Sequence, residues 1–115
     1  RTDCPADLLR SVYTNLLSQA PDHLLRQFLL TGSASPAHWY ARQTRFTQSL
    51  AALSMLGYVL GWGDRHLDNI MLADDTAAVM HIDFSVCFGQ GARLRVPETV
   101  PFRLTPNFVR ALGAT

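Results

Sequence analysis

Gly61-Trp62-Gly63-Asp64-Arg65-His66-Leu67-Asp68-Asn69 is the stretch on which the reading of this chain turns. It sets an acid, a guanidinium, an imidazole and an amide between an apolar run, Leu50 to Leu60, and a strand-like run, Ile70-Met71-Leu72. Such a loop is unfavourable to bury and contributes little packing. Asp, Asn and Gly are also ordinary turn formers, so taken alone the stretch is as well explained by loop structure as by chemistry.

Downstream residues change the balance. Asp74-Asp75-Thr76 has the make-up of a turn, and Val79 to Ile82 that of a second strand. Two antiparallel strands joined there bring Asn69 and Asp83, at the outer ends of the hairpin, side by side. Both carry oxygen donors suited to a hard cation such as Mg²⁺. A carboxylate that deprotonates a hydroxyl, one or two metal ions and a donor to the moving phosphate are the parts that phosphoryl transfer requires. Asp64 is the candidate base, Asn69 and Asp83 the candidate metal ligands, and His66 the candidate donor to the γ-phosphate. Asp68 is a helper or a surface charge, Arg65 pairs with a carboxylate across the loop, and His81 is a packed histidine. A metal hydrolase using Mg²⁺ or Mn²⁺ is the next option, but it calls for more acidic ligands than lie nearby.

Working outward, residues 1–20 predict a helix: Pro5 suits its first turn, Asp3 or Asp7 its positive end, and Leu8, Leu9, Val12, Leu16 and Leu17 make one apolar face. Pro21 stops it. Asp22 is expected to cap a second helix over 23–30, closed by Thr31-Gly32, with His23 on its surface. Ser35-Pro36 opens the longest helix, to about residue 60. Its first half has a wet side with His38, Arg42, Arg45 and Gln48, while its second half is apolar nearly all round and so expected to be buried on most sides. Trp39, Tyr40 and Phe46 read as packing, and Gly57 as a point of close backbone approach. Residues 84–101 lose all periodicity and read as a long functional loop. Thr105-Pro106 caps a last helix over 107–112, which Gly113 closes. The expected fold class is α+β, mainly helical, with a small β-hairpin.

Composition bounds the rest. A chain of 115 residues holds at most one small domain. Its formal net charge of +1 gives no field for nucleic acid and no polybasic patch for membranes. Cys4 and Cys87 lack metal-ligand spacing; their number leaves a disulfide open, but reduced thiols are the favoured reading. With no leader pattern or spanning segment, a cytoplasmic or nuclear protein is expected. Arg1 is not an initiator residue, which suggests a piece of something longer. All ten cationic residues are Arg; there is no Lys.

Gly63-Asp64-Arg65-His66-Leu67-Asp68-Asn69, then His81-Ile82-Asp83-Phe84, then Val100-Pro101-Phe102-Arg103-Leu104-Thr105 resemble three motifs of the phosphatidylinositol-3-kinase superfamily. These are its catalytic loop, its metal-binding motif and the end of its activation loop. The order Asp-Arg-His, inverted relative to ordinary protein kinases, is similar to the protein-kinase branch, the phosphatidylinositol-3-kinase-related kinases. Residues 86–105 and 54–58 most resemble those members of the branch that act in nonsense-mediated mRNA decay. The resemblance implies a partial catalytic domain over 1–115, the C-terminal lobe of a kinase-like fold. Its catalytic loop would be 61–69, its metal motif 81–85 and its activation loop 84–101.

The resemblance also implies roles. Asp64 and His66 would be catalytic, and Asn69, Asp83 and His66 would contact ATP, with Mg²⁺ (or Mn²⁺) on Asn69 and Asp83. The substrate would be a protein, phosphorylated at Ser or Thr followed by Gln, with an RNA-surveillance helicase as the suggested partner. Ser85 stands where many relatives have Gly, and Trp62 where Leu is usual. An N-terminal lobe with its phosphate-binding lysine is missing from a chain without Lys, so the piece alone is expected to be inactive. A lipid kinase would need clustered cations in the loop, which offers only Arg93 and Arg95 beside Glu98. A catalytically dead scaffold typically lacks the Asp or Asn retained here.

Overall fold

The computed structural model describes residues 5–113. Four helices and one hairpin follow in order: α1 (Ala6–Gln19), α2 (Leu24–Thr31), α3 (Pro36–Leu60), β1 (Ile70–Leu72), β2 (Val79–His81) and α4 (Pro106–Leu112). Single 3-10 turns lie at Leu67–Asn69 and Gln90–Arg93. The fold is mainly helical with one antiparallel two-stranded sheet, as the periodicities indicate.

Capping sets the helix starts. The Ser35 hydroxyl accepts from the His38 N–H at 3.1 Å, and the Thr105 hydroxyl accepts from the Phe108 N–H at 3.3 Å, each with Pro at the first helical position. Helix α3 ends in a Schellman motif. Trp62 N–H bonds the Gly57 carbonyl and Gly61 N–H the Tyr58 carbonyl, with Gly61 left-handed at φ +60°. A side chain at Gly61 would also meet the Gly89 nitrogen at 2.6 Å, so the chain crossing there requires glycine.

The core lies where α2, α3, α4 and the hairpin meet. Leu29, Phe46, Leu50, Ala77, Val79, Phe108 and Ala111 are buried, and the Phe46 and Phe108 rings meet edge to face at 6.1 Å and 62°. Polar ties fasten the layers. The Ser49 hydroxyl on α3 accepts from the Val79 N–H on β2 at 2.8 Å. Gln43 donates to the Leu112 carbonyl at 3.0 Å, and Asn107 donates to the Pro21 carbonyl at 2.9 Å.

Several expectations need correction. Helix α1 buries none of its residues: Leu8, Leu9, Val12 and Leu16 are about half exposed or more, because no described element lies against that apolar face. The second half of α3 is likewise open, with Met55, Tyr58 and Val59 at 57, 59 and 75% exposure. Arg42, read as wet, is buried. Its guanidinium donates to the Asp74 carbonyl at 3.1 Å and lies 5.2 Å from the Phe28 ring centroid. Tyr40 is exposed rather than packed. Asp22 does not cap α2; it pairs with Arg110 at 2.9 Å, and His23 holds the cap position without a side-chain bond. Gly57 is approached by the Trp62 indole, not by backbone. Residues 1–4, and with them Asp3 and Cys4, lie outside the described residues; Cys87 is half-buried.

Candidate functional site

The register of the hairpin pairs Ile70 with His81. One step outward, the Ile82 N–H bonds the Asn69 carbonyl at 3.1 Å, so Asp83 follows directly beyond the pair. The strand that ends at 81 therefore delivers Asp83 to the end of the hairpin from which the 61–69 loop departs. The turn at Leu67–Asn69 brings that loop back over the same end.

Arg65 holds the two parts together. It is buried, its Nε donates to the Gly63 carbonyl at 2.8 Å, and its two terminal nitrogens donate to the carbonyls of Ile82, at 2.7 Å, and of Asp83. Among the described residues no carboxylate pairs with Arg65 as expected; backbone oxygens take the three bonds. A rigid, forked donor set suits three acceptors contributed by two chain segments. Phe84 lies 5.9 Å from the guanidinium and packs at 4.7 Å against Trp62 with the rings tilted by 40°; Trp62 also borders His81 at 6.1 Å. The Trp62 indole thus fills the space beneath the loop.

Asn69 is buried, and its amide nitrogen donates to the Asp64 carbonyl at 2.8 Å. Its side-chain oxygen accepts from no described residue. Asp83 is exposed and left-handed, φ +56°, a conformation that Asp tolerates better than most residues. One carboxylate oxygen accepts from the Ser85 N–H at 3.0 Å. Hydrogen bonding from Ser85, side chain and backbone, is the largest cause holding the Asp83 carboxyl below its usual range; Arg65 and His66 add smaller contributions. Ser85, a departure from the Gly usual in many relatives, thereby favours the charged form of Asp83.

Asp64 is the second left-handed acid, φ +57°, and is half-buried. His66 lies between two carboxylates, its Nε2 4.0 Å from Asp64 and its Nδ1 3.7 Å from Asp68. His81 is packed, as expected, but its buried Nδ1 has no partner, and desolvation first, then Arg65, lowers its pKa.

Two oxygen-donor side chains, Asn69 and Asp83, thus share one end of the hairpin with Asp64 and His66. Among the described residues no group of three or more His, Cys, Asp or Glu forms a metal cage. By donor chemistry the Asn69 amide oxygen and the Asp83 carboxylate suit Mg²⁺, which keeps waters and commonly takes only one or two protein carboxylates alongside substrate phosphates. Beside them a cleft of about 190 Å³ is walled by Asp64 and His66 on one side and by Val100, Phe102 and Arg103 on the other.

The 84–101 segment is less loose than its sequence suggests. Gly63 N–H bonds the Val86 carbonyl at 2.9 Å, and Phe88 N–H bonds the Leu60 carbonyl at 2.9 Å. Glu98, weighed earlier only as a charge, accepts from the Asp64 N–H at 2.7 Å. A lone acid in a segment of Val, Pro and Thr was the available signal, but its partner is a backbone amide, which a sequence does not display.

The sequence profile of the phosphatidylinositol 3- and 4-kinase family matches residues 5–115. The chain is 44% identical over its whole length to Serine/threonine-protein kinase SMG1 of Danio rerio, of which it spans 3%. It is 51% identical over 75% of its length to Serine/threonine-protein kinase ATM of Drosophila melanogaster, again 3% of that protein. Among solved structures, the FAT and kinase domain of CtTel1 superposes with a TM-score of 0.90 at 40% identity, covering 97% of this chain and 8% of that one.

Proposed function

Since the chain belongs to the phosphatidylinositol 3- and 4-kinase family, we propose that it is the C-terminal lobe of a serine/threonine protein kinase catalytic domain. In this reading the lobe carries the machinery that moves the γ-phosphate of ATP to a protein hydroxyl. The observation that carries the reading is the Arg65 fork, which ties the Asp64 loop to the strand end bearing Asp83. The names of three relatives matched along the whole chain, each a serine/threonine-protein kinase, favour protein over lipid as the acceptor.

Asp64 accepts the proton of the substrate hydroxyl and orients its oxygen. His66, held between Asp64 and Asp68, donates toward the transferring phosphate. Asn69 and Asp83 hold Mg²⁺, which supplies charge neutralisation on the phosphate oxygens when bound. The cleft between His66 and Phe102 receives the peptide, and Glu98 and Val100 of the 84–101 segment help to line it. The finer reading places the protein in nonsense-mediated mRNA decay, acting on Ser/Thr-Gln sites of an RNA-surveillance helicase. It rests on the resemblance of residues 54–58 and 86–105, and the whole-chain match to SMG1 relatives supports it. With no Lys to hold the α- and β-phosphates, the piece by itself transfers nothing.

The test uses the intact protein that carries this chain, with a Ser-Gln peptide and phosphoinositide vesicles as rival acceptors. Asp64→Asn lowers peptide phosphorylation by at least about 10²-fold with little change in KM for ATP. Parental turnover in that variant, or transfer to the vesicles alone, would sink the assignment. Asp83→Ala weakens Mg²⁺–ATP binding; binding at the parental level removes the metal role.

A further inference from the structure

Glu98 stands 34 residues beyond Asp64 in sequence, yet its Oε1 accepts the Asp64 N–H at 2.7 Å. The surrounding backbone is shaped to admit that carboxylate. A Cβ on Gly63 would come within 2.4 Å of Oε2, and one on Gly91 within 2.2 Å, so two glycines from different segments vacate its seat. The Glu98 N–H in turn bonds the Gly91 carbonyl at 3.1 Å, which closes residues 91–98 into a loop with the acid at its closing end. No cation pairs with Glu98 among the described residues, so the backbone amide is its charge-assisted partner.

The bond falls on a residue whose backbone is left-handed and not glycine. Such a conformation persists where neighbouring groups over-determine it. Asn69 holds the Asp64 carbonyl from one side, and Glu98 holds the Asp64 amide from the other. The Asp64 side chain is aimed by these two grips together.

We propose that Glu98 is a positioning residue that makes the placement of Asp64 conditional on the folding of residues 91–98. When that segment is seated, the Asp64 peptide is clamped at both ends and its carboxylate faces the cleft. When the segment lifts, the amide is released and the acid loses its orientation, although no atom of Glu98 touches substrate. This deepens the kinase reading and rests on it: the segment that would receive the peptide also sets the base.

The experiment uses the intact protein with Mg²⁺–ATP and a Ser-Gln peptide, and four variants: Glu98→Ala, Glu98→Gln, Gly91→Ala and Asp64→Asn. Glu98→Ala is expected to lower kcat by about tenfold or more while KM for ATP moves less than about twofold. Hydrogen exchange of a peptide covering 61–69 should quicken by a similar factor. Glu98→Gln keeps an oxygen that can accept the amide and should recover most of kcat. Gly91→Ala leaves the carboxylate chemically intact but fills its seat, and should reproduce the Glu98→Ala phenotype. Parental kcat and exchange in Glu98→Ala, or a Gln variant as impaired as the Ala one, overturns the inference. A parallel rise of KM for ATP and fall of kcat shows general disruption and also overturns it. An active Asp64→Asn variant fails the kinase reading itself, whereas an inactive Asp64→Asn beside a fully active Glu98→Ala fails only this inference.

Discussion

Replacing Arg65 removes a fork that joins two chain segments. Its three donors reach the carbonyls of Gly63, Ile82 and Asp83, and the side chain is buried. A hydrogen bond from a charged donor contributes about 1.5–3 kcal/mol net. The Asp83 end is open to solvent, so water recovers part of that on removal. The Phe84 ring, 5.9 Å from the guanidinium, adds about 0.5–1 kcal/mol. Arg65→Ala should therefore destabilise the junction by about 3–5 kcal/mol. Arg65→Lys keeps the charge, but a point-like ammonium cannot span three acceptors set by a planar fork, so about half of that loss should remain. Urea unfolding of the intact protein, with hydrogen exchange over 61–69 and 81–85, reads both effects. A lysine variant within about 0.5 kcal/mol of the parent, with unchanged exchange in both segments, would refute the view that the geometry of the fork, rather than its charge, joins the loop to the hairpin.

Phe46→Ala should cost about 3–5 kcal/mol in urea unfolding, since the ring is fully buried against Phe108 and its removal leaves a cavity. Ser49→Ala leaves the Val79 N–H without its acceptor and should cost about 1–3 kcal/mol, seen as faster exchange of the Val79 amide. His81 has a folded pKa below its unfolded value because burial disfavours the cation. Its neutral form therefore contributes stability that is present above about pH 6.5 and is lost as pH falls through that value toward the lower folded pKa. His81→Leu should flatten the slope of stability over that window in urea midpoints taken between about pH 5 and 7. Arg110→Ala should change stability by less than about 1 kcal/mol, because its pair with Asp22 is exposed and screened.

The elements that announce themselves locally were legible. Ser35-Pro36 and Thr105-Pro106 mark helix starts because a hydroxyl cap and a proline act within four residues of each other. Asp74-Asp75-Thr76 marks the hairpin because turn-forming residues there separate two short strand-like runs. Asn69 and Asp83 could be placed at one end of it because strand register is arithmetic once the turn is known.

What was not legible depends on groups that sequence does not display. An apolar stripe on α1 says which face avoids water but not whether a partner covers it, and no described residue does. Arg42 and Arg65 read as surface and carboxylate-paired, yet Arg65 gives three hydrogen bonds and Arg42 one to backbone carbonyls, which every residue carries alike. Glu98 was hidden for the complementary reason: its partner is an N–H.

The crossing at Gly61 and Gly89 has a mechanical consequence. The last turn of α3 and residues 86–89 are laced by bonds from Phe88 to Leu60, from Gly89 to Gly61 and from Gly63 to Val86. Any tilt of the long helix must therefore drag residues 86–89 with it as one rigid lever. The hinge of the segment is displaced past Arg93, onto the stretch between Leu94 and Pro101, whose backbone–backbone ties among the described residues are those of Leu94 and Glu98 to the Gly91 carbonyl.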